Sequence, residues 1–162
     1  MKKNILVVDD EIRMRKLIKD FLKQKDFEIL EASDGEEALN LYNNQKNNID
    51  LIILDVMMPK LDGWSVLRQI RQENKQIPVV MLTARSEEQD ELFGFELGVD
   101  EYITKPFSPK LMVARIEAIL RRIVEKENQE FALENKKLLK MFKKYIIYDG
   151  TMVFDVFFYV LM

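Results

Sequence analysis

Several side chains in this 162-residue sequence could do chemistry, and each sits at the end of a short apolar run. Asp9 and Asp10, with Glu11 behind them, follow the run 5–8. Asp55 ends the run 51–54, Thr83 ends the run 79–82, and Lys105 with Pro106 follows 102–104. Taken singly, each has an ordinary explanation. Asp9 or Asp10 would cap a following helix, Asp55 would be a turn residue before Pro59, and Thr83 and Lys105 would be common strand-end residues. Taken together they are uncomfortable, because like charges packed closely repel and raise one another's pKa. A cation relieves that repulsion. The sequence holds no cysteine and no histidine, so the donors are hard oxygens, which suit Mg²⁺ and leave coordination positions for phosphate oxygens. The missing histidine also removes imidazole acid–base catalysis, His-ligated zinc and a phosphohistidine carrier.

Whether these groups meet depends on the elements that carry them. The runs 5–8, 51–54, 79–82 and the weaker 27–30 and 102–104 are continuously apolar, as strands covered on both faces are. Between them lies helical periodicity. Met14, Leu17, Ile18, Phe21 and Leu22 share one face of the first helix, and Ser33 with Glu36 offers a capping box before Ala38, Leu39 and Tyr42. Asp62 is a candidate cap for a helix carrying Val66, Leu67 and Ile70. The segment 87–97 reads as a helix ending at Gly98, and Pro109 opens another through 120. Five β-α repeats predict a flavodoxin-like α/β fold, a parallel sheet in the order 2-1-3-4-5 with helices on both faces. In such sheets the working residues stand at the carboxyl ends of the strands. There Asp9, Asp10, Asp55, Thr83 and Lys105 fall on one rim.

Composition is ordinary for a globular chain, with 48% hydrophobic and 33% charged residues. The net charge of −3 argues against whole-surface nucleic-acid binding. The N-terminal apolar run is too short for a signal peptide, and no stretch approaches the roughly 18 apolar residues of a membrane span, so a cytoplasmic location without membrane attachment is expected. After Arg122 the pattern changes. Phe131, Leu138, Met141, Phe142 and Tyr145 share one face of a continued helix, and Lys136, Lys137, Lys140, Lys143 and Lys144 share the other. Asp149-Gly150 then lies between two β-prone runs, 145–148 and 151–154, which is a hairpin signal.

The motifs "ILVVDDE", "LIILDVMMPKLDG", "VVMLTA" and "DEYITKPF" resemble the receiver domain (CheY-like) of two-component response regulators, and more narrowly the OmpR/PhoB-type subfamily. The resemblance covers about residues 2–122. It implies a receiver over 1–122, a helical linker or extension over 123–145, and a truncated effector or tail over 146–162. It further implies that Asp55 is the phosphoacceptor for a sensor histidine kinase and that Asp9, Asp10, Asp55 and the Met57 carbonyl hold Mg²⁺. Lys105 and Thr83 would then contact phosphoryl oxygens. Lys105-Pro106 would be a cis peptide, and Tyr102 the aromatic switch residue coupled to Thr83. The dimer surface would use Leu92, Phe95 and Val113, with Glu101 able to pair with Arg115. Positions expected to form cross-dimer ion pairs hold Glu91 opposite Leu111 and Glu96 opposite Glu117, which predicts a weak homodimer biased by phosphorylation. DNA would be reached only through a winged-helix domain that this sequence does not contain.

Three other readings compete. A Mg²⁺-dependent aspartyl-phosphate phosphohydrolase resembles an Asp-x-Asp motif, but Val56 and Met57 follow Asp55. A flavodoxin-like flavin binder needs a phosphate loop where Asp9, Asp10 and Glu11 would repel it. A phosphorylation-independent interaction module has no use for the full set of Asp9, Asp10, Asp55, Thr83 and Lys105.

Overall fold

The computed structural model describes residues 2–84 and 96–148, the last six as backbone alone. The described elements follow in the order β1 (Asn4–Val8), α1 (Ile12–Lys23), β2 (Glu28–Ala32), α2 (Gly35–Gln45), a 3₁₀ turn (Lys46–Asn48), β3 (Leu51–Asp55), α3 (Gly63–Glu73), β4 (Val79–Thr83), β5 (Glu101–Thr104) and a C-terminal helix (Pro109–Tyr148). All strands run parallel in the order β2-β1-β3-β4-β5, the flavodoxin-like topology expected from the apolar runs. The chain divides into two compact units, Met1–Leu120 and Arg121–Met162, and the C-terminal helix contributes to both. The expected helix over 87–97 falls almost wholly outside the described residues.

In the first unit β3 and β4 are buried at every position and β1 from Ile5 to Val8, as their unbroken aliphatic sequences require. Successive side chains point to opposite faces. Leu6, Val8, Ile52, Leu54, Val79 and Met81 form one core with Ala38 and Tyr42 of α2 and Val66, Leu67 and Ile70 of α3. The alternate residues Ile5, Val7, Leu51, Ile53, Val80 and Leu82 are also fully buried, as are Ile18 and Leu22 of α1 and Ile116 of the C-terminal helix.

Local chemistry sets where helices start. Asp62 caps α3 by accepting the Ser65 N–H at 2.9 Å. The cap of α2 lies one residue beyond the expected Ser33–Glu36 box. Asp34 accepts the Glu37 N–H at 2.9 Å, and the Glu37 carboxylate reaches back to the Ser33 N–H and hydroxyl, both at 2.7 Å. Asp34 also meets Lys60 Nζ at 2.6 Å, so its geometry outcompetes Ser33. Gly35 leaves room for a close crossing: a Cβ there would strike the Leu61 carbonyl and Val66. Arg71, near the end of α3, donates to the carbonyls of Asn74, Ile77, Leu97 and Gly98 at 2.8–3.2 Å.

Further expectations need correction. β2 begins at Glu28 and runs to Ala32, two residues past the apolar run 27–30. Its partner β1 extends the ladder to Val8↔Ala32. In α1, Leu17 is 39% exposed and drops out of the proposed face, while Ile18 and Leu22 are buried and Met14 and Phe21 half-buried. The run 145–148, read as the first half of a hairpin, is helical. An established helix adds a hydrogen bond for each residue it fixes, which carries it three residues past the expected end at 145. The rest of that hairpin, 149–154, lies outside the described residues. No helix among the described residues is long and apolar enough to cross a membrane.

Candidate functional site

Adjacent parallel strands end level with one another. The register sets Val8 beside Leu54, Asp55 beside Leu82 and Thr83 beside Thr104. Asp9 therefore emerges next to Asp55, and Lys105 follows Thr104 on the same rim, its N–H bonded to the Thr83 carbonyl at 2.6 Å. One carboxylate oxygen each from Asp9, Asp10 and Asp55 lies within 4.8 Å of the others. Glu11, the third acid of the β1 terminus, serves as the α1 N-cap without a side-chain bond. Neither Asp9 nor Asp10 takes that capping position.

Asp9 is fully buried and Asp55 is 5% exposed, whereas Asp10 is exposed. Lys105 Nζ bridges the two buried acids, 2.8 Å from Asp9 Oδ2 and 3.0 Å from Asp55 Oδ2. The second oxygen of Asp55 accepts the Met57 N–H at 3.3 Å, and that of Asp9 accepts the Glu11 N–H at 2.9 Å. Burial pushes the Asp55 carboxyl above the ordinary aspartate range, and the Asp9 charge adds to that push against the hydrogen bond and charge of Lys105. At Lys105 burial works against the ammonium, but the hydrogen bonds and charges of Asp9 and Asp55 win and raise its pKa. The site thus holds more carboxylate than one ammonium neutralises. Three hard oxygen donors in a partly buried cup suit a small divalent cation.

Gly63 keeps the cup narrow. A Cβ there would run into the Asp55 carbonyl, so only glycine lets α3 begin so close to the end of β3. The Lys105-Pro106 peptide is cis. Thr83 is 6% exposed. Tyr102 is half-buried against the core, its ring centroid 6.0 Å from that of Trp64.

The residues proposed for a dimer surface fare unevenly. Glu101 and Arg115 pair at 3.2 Å within the chain, and Arg115 also donates to the Tyr102 carbonyl. Val113 is 4% exposed. It lies on the same stripe of the C-terminal helix as Met112, Ile116 and Leu120, so it is a core residue and not part of an apolar surface patch. Leu111, 54% exposed, is the apolar side chain that faces outward there. Glu117 has a partner in Lys25 at 3.4 Å. Leu92, Phe95 and Glu91 lie outside the described residues.

Arg15 was not legible from the sequence. Its guanidinium donates to the Asp9 carbonyl at 2.6 Å and stands 4.0 Å from Glu31 on β2. Glu31 is also paired with Lys19. The link joins α1 to β2 and to the residue that follows β1, and no local spacing announces it.

Residues 5–117 match the family model described as the response regulator receiver domain. The alkaline phosphatase synthesis transcriptional regulatory protein PhoP of Bacillus subtilis is 52% identical over 122 residues, covering 75% of this chain and 50% of that protein. The chain spans about half the length of the curated relatives it matches. The receiver domain of the Francisella response regulator 1452 superposes with a TM-score of 0.70 at 36% identity, over 75% of this chain and 99% of that one. The CheX-CheY-BeF3-Mg²⁺ complex from Borrelia burgdorferi gives a TM-score of 0.69 at 33% identity, over 72% of this chain and 88% of that one.

Proposed function

The chain belongs to the response regulator receiver family, in its OmpR/PhoB-type branch, and from that premise we propose that Asp55 accepts a phosphoryl group from a sensor histidine kinase. Receiver domains are signalling modules and not conventional enzymes, so the chemistry of interest is the chain's own modification. The observation that carries the reading is the convergence of Asp9, Asp10 and Asp55 within 4.8 Å, with Lys105 touching two of them.

An Asp55 oxygen attacks the phosphorus of the donor phosphohistidine. A P–O bond forms as the P–N bond breaks, and the departing imidazole keeps the electron pair and takes up a proton. Phosphoryl transfer is mostly positioning and charge neutralisation. The oxygens of Asp9, Asp10 and Asp55 suit Mg²⁺, the ion named with the similar Borrelia receiver, and the resemblance adds the Met57 carbonyl as a further ligand. When bound, it neutralises charge on the carboxylates and the phosphoryl oxygens. Lys105, already against Asp55, moves its ammonium onto a phosphoryl oxygen, and Thr83 donates its hydroxyl to another. Asp55 sits in a nearly closed cup, which limits attack by water on the aspartyl phosphate.

The resemblance assigns Tyr102 the downstream readout, its ring turning as Thr83 is drawn to the phosphoryl group. Weak, phosphorylation-biased self-association would then use the surface around Leu92, Phe95 and the Glu101–Arg115 pair. We assign 1–122 to the phosphoacceptor and 123–145 to a linker. DNA binding and transcription control belong to the part of the relatives that this chain does not span, and the setting is the cytoplasm.

The test is acetyl phosphate with Mg²⁺, read by intact-mass spectrometry. One phosphoryl group is expected on the chain and none on Asp55→Asn. Equal labelling of that variant would refute the assignment.

A further inference from the structure

The C-terminal helix beyond Leu120 leaves a row of apolar side chains in water. Val124 is 41% exposed, Phe131 66%, Leu138 49% and Met141 57%. Val124, Phe131 and Leu138 are spaced by sevens, and Met141 follows Leu138 by three. That spacing keeps one seam facing a partner along two helices wound together. The three-residue step elsewhere in the repeat holds Glu127 and Glu134.

Charge along the helix selects the occupant and its direction. Residues 125–134 hold Glu125, Glu127, Glu130 and Glu134 against the single Lys126. Residues 135–148 hold Lys136, Lys137, Lys140, Lys143 and Lys144 with no acid. Two copies running parallel would set lysines against lysines and stack Glu127 and Glu134 on their own counterparts in the seam. Like charges in register disfavour that arrangement. Two copies running antiparallel lay each acidic half on a basic half. We propose that this helix pairs antiparallel with the same helix of a second copy of the chain, centred between Ala132 and Leu133.

That register seats Val124 against the partner's Met141 and places Glu130 beside the partner's Lys137, twice by symmetry. Among the described residues Glu130 meets Lys126 at 4.0 Å, one turn earlier, a distance that leaves its carboxylate room for a closer partner. Glu127 and Glu134 fall opposite apolar side chains and keep the association reversible. The pairing uses none of the residues of the receiver site.

The test uses the full chain, with circular dichroism confirming that each variant folds. Sedimentation equilibrium is expected to show a reversible dimer. Glu130→Lys should weaken it at least about tenfold, and Glu130→Lys with Lys137→Glu should restore it to within about threefold. Because the chain has no cysteine, introduced thiols report direction. Val124→Cys with Met141→Cys should cross-link under oxidation, and Val124→Cys alone should not. A monomer at every concentration would overturn the proposal, whatever covers the seam. So would a dimer indifferent to Glu130→Lys, or ready cross-linking through Val124→Cys alone.

Discussion

The two compact units break the usual partition of side chains in opposite directions. The first buries charge: Asp9 and Asp55 sit inside with Lys105 against them. The helix of the second exposes grease, with Phe131, Leu133 and Met141 all more than half open to solvent. Soluble proteins tolerate neither without cause, because buried charge costs solvation and clustered exposed apolar surface marks an interface. The contrast teaches where to look for work. Buried charge points to chemistry done within one chain, and exposed apolar surface points to contacts made between chains.

The strongest test of that contrast is to remove a cation from each region and unfold the protein without divalent metal. Lys105→Met should cost about 3 kcal/mol, because it strands two buried carboxylates. Lys137→Met, on the exposed helix, should change the same unfolding transition by less than about 0.5 kcal/mol. Chemical denaturation of both variants measures this, and equal losses would dissolve the distinction.

A smaller effect of opposite sign is expected at Asp55. Its carboxyl titrates above the ordinary range when folded, so through that window the folded state binds more protons than the unfolded one. Stability therefore falls as pH rises through the window and is lowest once Asp55 is charged. Asp55→Asn should remove this part of the pH dependence and stabilise the metal-free protein at neutral pH by about 1–2 kcal/mol. Melting temperatures of both proteins across pH 4–8 in chelator decide it, and a less stable variant would mean that Lys105 outweighs burial.

The smallest effect sharpens the meaning of a buried polar group. Tyr42 is 1% exposed, and its hydroxyl has no hydrogen-bond partner among the described residues. Tyr42→Phe should leave stability within about 0.5 kcal/mol of the original or raise it, since no bond is lost and no polar atom is left buried. A loss above about 1 kcal/mol, measured by denaturation, would reveal a bond that the hydroxyl makes after all.

The strands and the rim were legible because both depend on local pattern. An unbroken run such as 51–54 reports burial on two faces, and an acid ending it reports the sheet's carboxyl edge. Asp9, Asp55, Thr83 and Lys105 fell together on the strength of strand order alone. What the sequence hid is set by competition or distance. Ser33 and Asp34 both suit a helix cap, and Lys60, 26 residues away from Asp34, helps decide between them. Val113 carries an apolar side chain whichever way it faces, and only the helix's packing turned it inward. Arg15 acts on Asp9 through a backbone carbonyl, which has no residue signature.

Gly63 carries a consequence for the length of the chain. Its N–H is tied to the Val56 carbonyl at 2.9 Å, and no side chain fits between it and the end of β3. Residues 56–63 therefore form a ring of fixed circumference, held from outside by Lys60 on Asp34. An inserted or deleted residue in most surface loops is absorbed as slack. In this ring it would turn Met57 away from Asp55 or lift α3 off the core. Natural variation in the length of this protein should thus collect elsewhere, and these eight positions should keep their count even where their side chains change.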